Sequence, residues 1–213
     1  MAKRKRNRIF AFLVFGLIGA LLIAVYLNFF VISNNKVQKA KETEIPEWVD
    51  KQIIHKHSTA RTGILLDDIK NIVIHYVGNP NTSAKNNRDY FNKPSTGVSS
   101  HFIVGLGGEV IQCVPIYERS AASNDRNKDT LSIETCHPDE SGKFNQATYN
   151  SLVKLTAYLC YQFDLKQNDV IRHYDVTGKN CPKYYVENED EWENFKKDVG
   201  KAIDDYRKAE KNN

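Results

Sequence analysis

One stretch carries side chains suited to holding a metal ion. In Ile171-Arg172-His173-Tyr174-Asp175-Val176-Thr177-Gly178-Lys179-Asn180-Cys181-Pro182, a histidine ends a short apolar run and a cysteine follows eight residues later. Neutral imidazole and thiolate are both good zinc ligands. At that spacing they cannot share one helix face, so they converge only if the chain folds back at Thr177-Gly178. A third ligand must come from elsewhere. The best candidate is His75, at the end of the β-branched run Ile72-Val73-Ile74. Three protein ligands leave one tetrahedral position for water, the arrangement of catalytic rather than structural zinc. Each histidine taken alone reads more simply as a hydrogen-bonded residue at a strand end. The set of three changes that reading.

The elements that must position these residues follow from pattern. Asn71–Tyr76 and Val170–His173 read as short strands, and Thr130–Cys136 as a third. His101-Phe102-Ile103-Val104, then Gly105-Leu106-Gly107-Gly108, then Glu109–Val114 reads as a β-hairpin with glycines at the turn. Asn86–Asn92 reads as a short helix. Asn145–Phe163 is a longer one, with Leu152, Leu155, Leu159 and Phe163 as its apolar stripe. Asn188–Arg207 is another, with Trp192, Phe195, Val199, Ile203 and Tyr206 facing inward and Asn188 with Glu191 as a capping box. The expected fold is α/β: one domain, residues 48–208, with a central mixed β-sheet flanked by α-helices. Residues 209–213 form a tail.

The 213 residues carry a net charge of +4. Lys3, Arg4, Lys5, Arg6 and Arg8 account for that excess, and without them 25 basic residues face 26 acidic ones. The rest of the chain has no basic surplus for a nucleic-acid face. Residues 1–8 read as a basic cytoplasmic tail, and 9–32 as an almost wholly apolar run. As a helix that run spans about 36 Å, more than the ~30 Å hydrocarbon core. It is longer than a signal-peptide core and no small-x-small site follows it, which favours an uncleaved transmembrane anchor. The flanking cations place the N-terminus in the cytoplasm and the remainder on the wall side of the cell membrane. Residues 33–47, rich in Lys and Glu, read as a polar stalk. Trp48 then packs on the domain. Of the four cysteines, Cys113, Cys136 and Cys160 read as buried structural thiols, although a disulfide between two of them fits the same spacing.

The segments Ile72-Val73-Ile74-His75-Tyr76, Ser100-His101-Phe102-Ile103-Val104, Leu131-Ser132-Ile133-Glu134 and Arg172-His173 through Lys179-Asn180-Cys181-Pro182 resemble, in order and spacing, the zinc-dependent N-acetylmuramoyl-L-alanine amidases. That family includes the phage lysozyme-like (type 2, endolysin-like) amidases and is related to peptidoglycan recognition proteins. The resemblance runs from about Asp50 to Tyr206, and Arg-His…Lys-x-Cys-Pro is its most specific part. It implies that His75, His173 and Cys181 hold Zn2+, that Glu134 is the general base and that Lys179 steadies the transition-state oxyanion. It also implies peptidoglycan as substrate, with cleavage between N-acetylmuramic acid and L-alanine of the stem peptide.

From alternation along its run, Glu134 shares a face with Ser132, which fits a cleft wall or a wet surface. Ser100 stands where some members carry a catalytic tyrosine, and Ser120-Ala121-Ala122-Ser123 lacks a histidine that many bacterial members have there. Ser100, His101, Tyr90, Asn124 and Arg126 are candidates to line a sugar-peptide groove, with a structural role equally open for His101. His55, His57 and His137 fit no pattern and read as surface residues. The competing functions are a peptidoglycan-binding module of the same fold without turnover, and a zinc peptidase acting within the stem peptide.

Overall fold

A computed structural model describes residues 2–56 and 59–211; His57 lies outside them. Among the described residues six strands form one sheet: β1 (Val49–Lys51), β2 (Asn71–Ile74), β3 (Phe102–Val104), β4 (Val110–Gln112), β5 (Thr130–Thr135) and β6 (Val170–Arg172). Their order is β1-β4-β3-β5-β2-β6. Only the β3–β4 hairpin is antiparallel; the other neighbours run parallel. The sheet is therefore mixed, and both of its faces are covered, as parallel strands require.

Pleating sorts side chains between the faces. Ile72, Ile74, Phe102, Val104, Leu131 and Ile133 point to one side, where they meet α3 (Gln146–Gln162) and α6 (Glu189–Lys211). Leu152, Leu155 and Leu159 of α3 are buried there, with Trp192, Phe195, Val199 and Ile203 of α6. These are the stripes that the helical period predicts. On the other side, Ile103, Ile111 and Cys113 pack beneath α2 (Ala84–Phe91). The part of that second face carried by β5, β2 and β6 is left to polar side chains, and the functional site sits there.

Several local expectations change. The short α2 begins at Ala84, because Ser83 caps it: its Oγ accepts from the Asn86 amide at 3.1 Å. Asn145 caps α3 by accepting from the Thr148 amide at 2.9 Å. Asn188 does not form the capping box. A further helix, α5 (Lys183–Glu187), ends beside it, and the Asn188 side-chain amide donates to the Tyr184 carbonyl at 2.8 Å. Asn188 offers α6 its backbone carbonyl instead, accepting from Glu191 and Trp192. His55 is exposed as expected, but His137 is buried, its ring 5.1 Å from that of Tyr76. All four cysteines are free and buried.

The N-terminal region differs most. One helix, α1, runs Ala2–Glu42, so the stretch read as a polar stalk is helical for most of its length. Val37 and Ala40, one turn apart, are buried in the main core, and Lys36 Nζ donates to the Ile69 carbonyl at 3.0 Å. The Tyr158 hydroxyl donates to the Glu44 carbonyl at 2.6 Å, and Trp48 packs edge-on to Tyr158. Burying a side chain such as Val37 stabilises by roughly 1.5–3 kcal/mol, enough to hold this turn of helix on the domain. Among the described residues no helix is long and apolar enough to cross a membrane. The span expected over 9–32 is thus not carried by them. Side chains are described over 14–27, which is shorter than the ~20 residues a crossing needs.

Candidate metal centre and active site

Register builds the centre. Ile74 of β2 pairs with Ile133 of β5 on one side and Arg172 of β6 on the other. The next residue on each strand is therefore His75, Glu134 and His173, and pleating turns all three to the polar face. At β6 the chain enters α4 (His173–Thr177), a single turn closed by Gly178 in the left-handed region at φ 77°. That conformation suits glycine and reverses the chain. The Tyr174 amide then donates to the Cys181 carbonyl at 2.9 Å, which returns Cys181 to the histidines. Arg172 fixes this edge. It is buried, bonds the Tyr185 carbonyl, and pairs with Asp175 and Glu189.

The ligating atoms of His75, His173 and Cys181 all lie within 4.8 Å of one another. His75 Nδ1 faces His173 Nδ1 at 3.2 Å and Cys181 Sγ at 3.9 Å. In tetrahedral zinc with ordinary bond lengths, two nitrogens stand about 3.3 Å apart and a nitrogen and a sulfur about 3.5 Å. The donor set and spacing fit such an ion. Burial, then the His173 and Lys179 charges, hold His75 well below the ordinary imidazole range; burial and Lys179 lower His173. Both rings are therefore neutral at pH 7, as ligation requires. Burial, and then Glu134, push the Cys181 thiol up to about 12, against the Tyr76 amide and Lys179. This thiol ionises readily only beside a cation.

The three residues open into a cavity of about 360 Å³ that Glu134, Lys179, Asn124 and Tyr76 also line. Glu134 Oε2 is buried without a hydrogen-bond partner, and burial raises the carboxyl to about 8 while Lys179 pulls it down. An unpaired buried carboxylate oxygen is costly unless a ligand or ion meets it. Lys179 is exposed at the rim. A second, polar cavity of about 500 Å³ shares Ala121, Asn124 and Asn127 with the first and extends it past Arg119 and Lys128.

Of the groove candidates, only Asn124 lines the metal cavity. Ser100 and His101 are fully buried. The Ser100 hydroxyl donates to the Phe102 carbonyl at 2.7 Å. His101 Nε2 donates to the Glu118 carbonyl at 2.9 Å, and its Nδ1 accepts from the Ser132 amide at 3.0 Å. This ring staples the hairpin to β5, the structural one of its two readings. Tyr90 is exposed on α2, away from the cavity. Arg126 bonds Asp129 and Asn71 and so ties a 3-10 turn, Asn124–Lys128, to the start of β2. Sequence reasoning missed Tyr76, Ser123 and Asn127. Tyr76 follows a ligand and strict alternation would turn it away, but β2 ends at Ile74 and the pleat ends with it.

Comparison with known proteins agrees with this geometry. The family described as N-acetylmuramoyl-L-alanine amidase matches residues 66–184. The amidase CwlL of Bacillus licheniformis is 30% identical over 172 residues, covering 73% of this chain and 47% of its own length. BlyA of Bacillus subtilis is 30% identical over 160 residues, covering 65% and 43%. The chain spans about half the length of the curated relatives it matches. Among solved structures, the catalytic domain of XlyA shares the fold with a TM-score of 0.63 at 22% identity, over 71% of this chain and 99% of that one. PlyL does so with a TM-score of 0.64 at 23% identity, over 72% and 98%. The matched segment runs from just before β2 into α5 and so contains every residue of the centre. On that match this chain belongs to the N-acetylmuramoyl-L-alanine amidase family.

Proposed function

We propose that this protein is a zinc-dependent peptidoglycan hydrolase that cleaves the amide between N-acetylmuramic acid and the L-alanine of the stem peptide. The observation that carries this reading is the convergence of His75, His173 and Cys181 within 4.8 Å, beside the unpaired carboxylate of Glu134. Zinc held by these three residues supplies Lewis acidity, which activates water and polarises the scissile carbonyl. Glu134 accepts a proton from the attacking water and returns it to the leaving amine. Its elevated pKa, near working pH, suits both transfers. Lys179 offers an ammonium to the oxygen that gains charge as the carbonyl carbon becomes tetrahedral. The continuous polar cavities give a branched glycan-peptide substrate room on both sides of the scissile bond.

The location proposed is the wall side of the cell membrane, with the N-terminus in the cytoplasm. Support comes from the apolar run 9–32 behind five cations, and from the exposed Phe15, Leu17, Leu21, Leu22 and Tyr26 along α1. Such a row of large apolar side chains is costly in water. Fractionation of cells expressing the full chain, followed by protease treatment of intact spheroplasts, tests it. Protein that stays in the soluble fraction overturns it.

The activity is tested on purified cell walls. New L-alanine N-termini and their loss on treatment with a chelator are the expected outcome. New reducing sugar ends, or fragments cut within the stem peptide, overturn the assignment in favour of a glycosidase or a peptidase. Wall binding with no release points to a binding module.

A further inference from the structure

Each histidine of the centre has a second ring nitrogen, and one short loop meets both. His75 Nε2 lies 3.3 Å from Ser123 Oγ, and His173 Nε2 lies 3.1 Å from Asn124 Oδ1. Ser123 is fully buried. Asn124 holds the left-handed conformation at φ 51°, which is uncommon outside glycine and aims its side chain at His173. The loop is braced from within: Asn127 Oδ1 accepts from the Ala122 and Ser123 amides at 3.0 and 2.6 Å.

We propose that Ser123 and Asn124 are positioning residues that fix the ring orientation and tautomer of both histidines, so that each offers its Nδ1 lone pair to the metal. The inference rests on the zinc reading and goes beyond it. An amide oxygen only accepts, so the proton of neutral His173 is held on Nε2 and Nδ1 is left free to ligate. A hydroxyl both donates and accepts. Ser123 therefore serves His75 when Nδ1 ligates, and also when the empty centre shares a proton across the 3.2 Å between the two Nδ1 atoms. Partners of this kind typically contribute 10–100-fold to metal affinity.

The test uses the full chain, with zinc affinity measured by competition against a chromophoric chelator. Asn124→Gly keeps the left-handed backbone and removes the acceptor; Asn124→Asp keeps an acceptor at the same reach. N124G is expected to bind zinc about 10–100-fold more weakly, and N124D to stay within a few-fold of wild type. Nitrogen NMR of the metal-free chain is expected to find the His173 proton on Nε2 in wild type and shared between tautomers in N124G. Equal zinc affinity in N124G and wild type overturns the inference while leaving the zinc reading intact, as does N124D as weak as N124G. Wild-type protein that takes up no zinc overturns both.

Discussion

Glu134 stands in step with His75, one strand across the sheet. The pairing of Ile74 with Ile133 makes them successive rungs of the same ladder, and the pleat turns both toward the cavity. The carboxylate needs no loop to reach the metal site; parallel strand pairing places it there. Glu134→Gln preserves shape and removes the base. The expected result is a kcat lower by about 10²–10⁴ with zinc content unchanged, checked by wall digestion beside metal analysis.

Lys179 is exposed, so Lys179→Ala should leave the melting temperature alone while lowering kcat about 10²–10³-fold. Its charge also holds the Glu134 carboxyl down. Without it Glu134 binds its proton more tightly, so the acid limb of the kcat/KM–pH profile should move to higher pH. A profile that falls in height without moving would remove Lys179 from the electrostatics of the base.

Zinc should stabilise the folded chain, because the ligands converge only when β2 and β6 are paired. At a free zinc concentration 100 times Kd the gain is about 2.7 kcal/mol, or roughly 5–10 °C for a domain of this size. Calorimetry with and without zinc checks this, and Cys181→Ala should show little of the shift.

His101 makes an acid-stability prediction. Burial lowers it from 6.5 to about 4, against the Glu118 carbonyl and charge. The unfolded chain therefore binds a proton there before the folded one does. The stability this ring contributes is complete above pH 6.5 and is lost as pH falls through 4, on the order of 3 kcal/mol in all. Denaturant melts between pH 4 and 7 should show that slope, and His101→Gln should flatten it. Should the variant not fold, the His101 ring signals of wild type should still show no titration above about pH 5.

The first helix is tested by Val37→Ala. Removing two buried methyl groups should cost about 1.5 kcal/mol, measured by urea unfolding. No change would mean that residues 36–42 are not part of the cooperative unit.

The sequence made the metal ligands legible because histidine and cysteine are informative residue types, and because strand ends and Gly178 show where they can meet. The apolar stripes of α3 and α6 were equally readable from period. Other features were hidden for physical reasons. Val37 and Ala40 are two small apolar residues among Lys, Gln and Glu, so the docked turn of α1 resembled a solvated linker. α5 is too short to show a period, and its end redirected the Asn188 side chain. Ser123 and Asn124 act from an irregular turn with no repeat to read. His137 and His101 are polar residues buried by tertiary packing, which local pattern does not register.

β6 is the outer strand of the sheet and pairs only with β2. During synthesis, a nascent chain that has emerged as far as β5 already has His75 and Glu134 side by side, yet it owns a single ligand nitrogen and cannot retain an ion. Docking of β6 on the open flank of β2 brings the second imidazole, and the turn after α4 brings the sulfur. Hydrolytic competence thus arrives late and all at once, with the closing of the last strand.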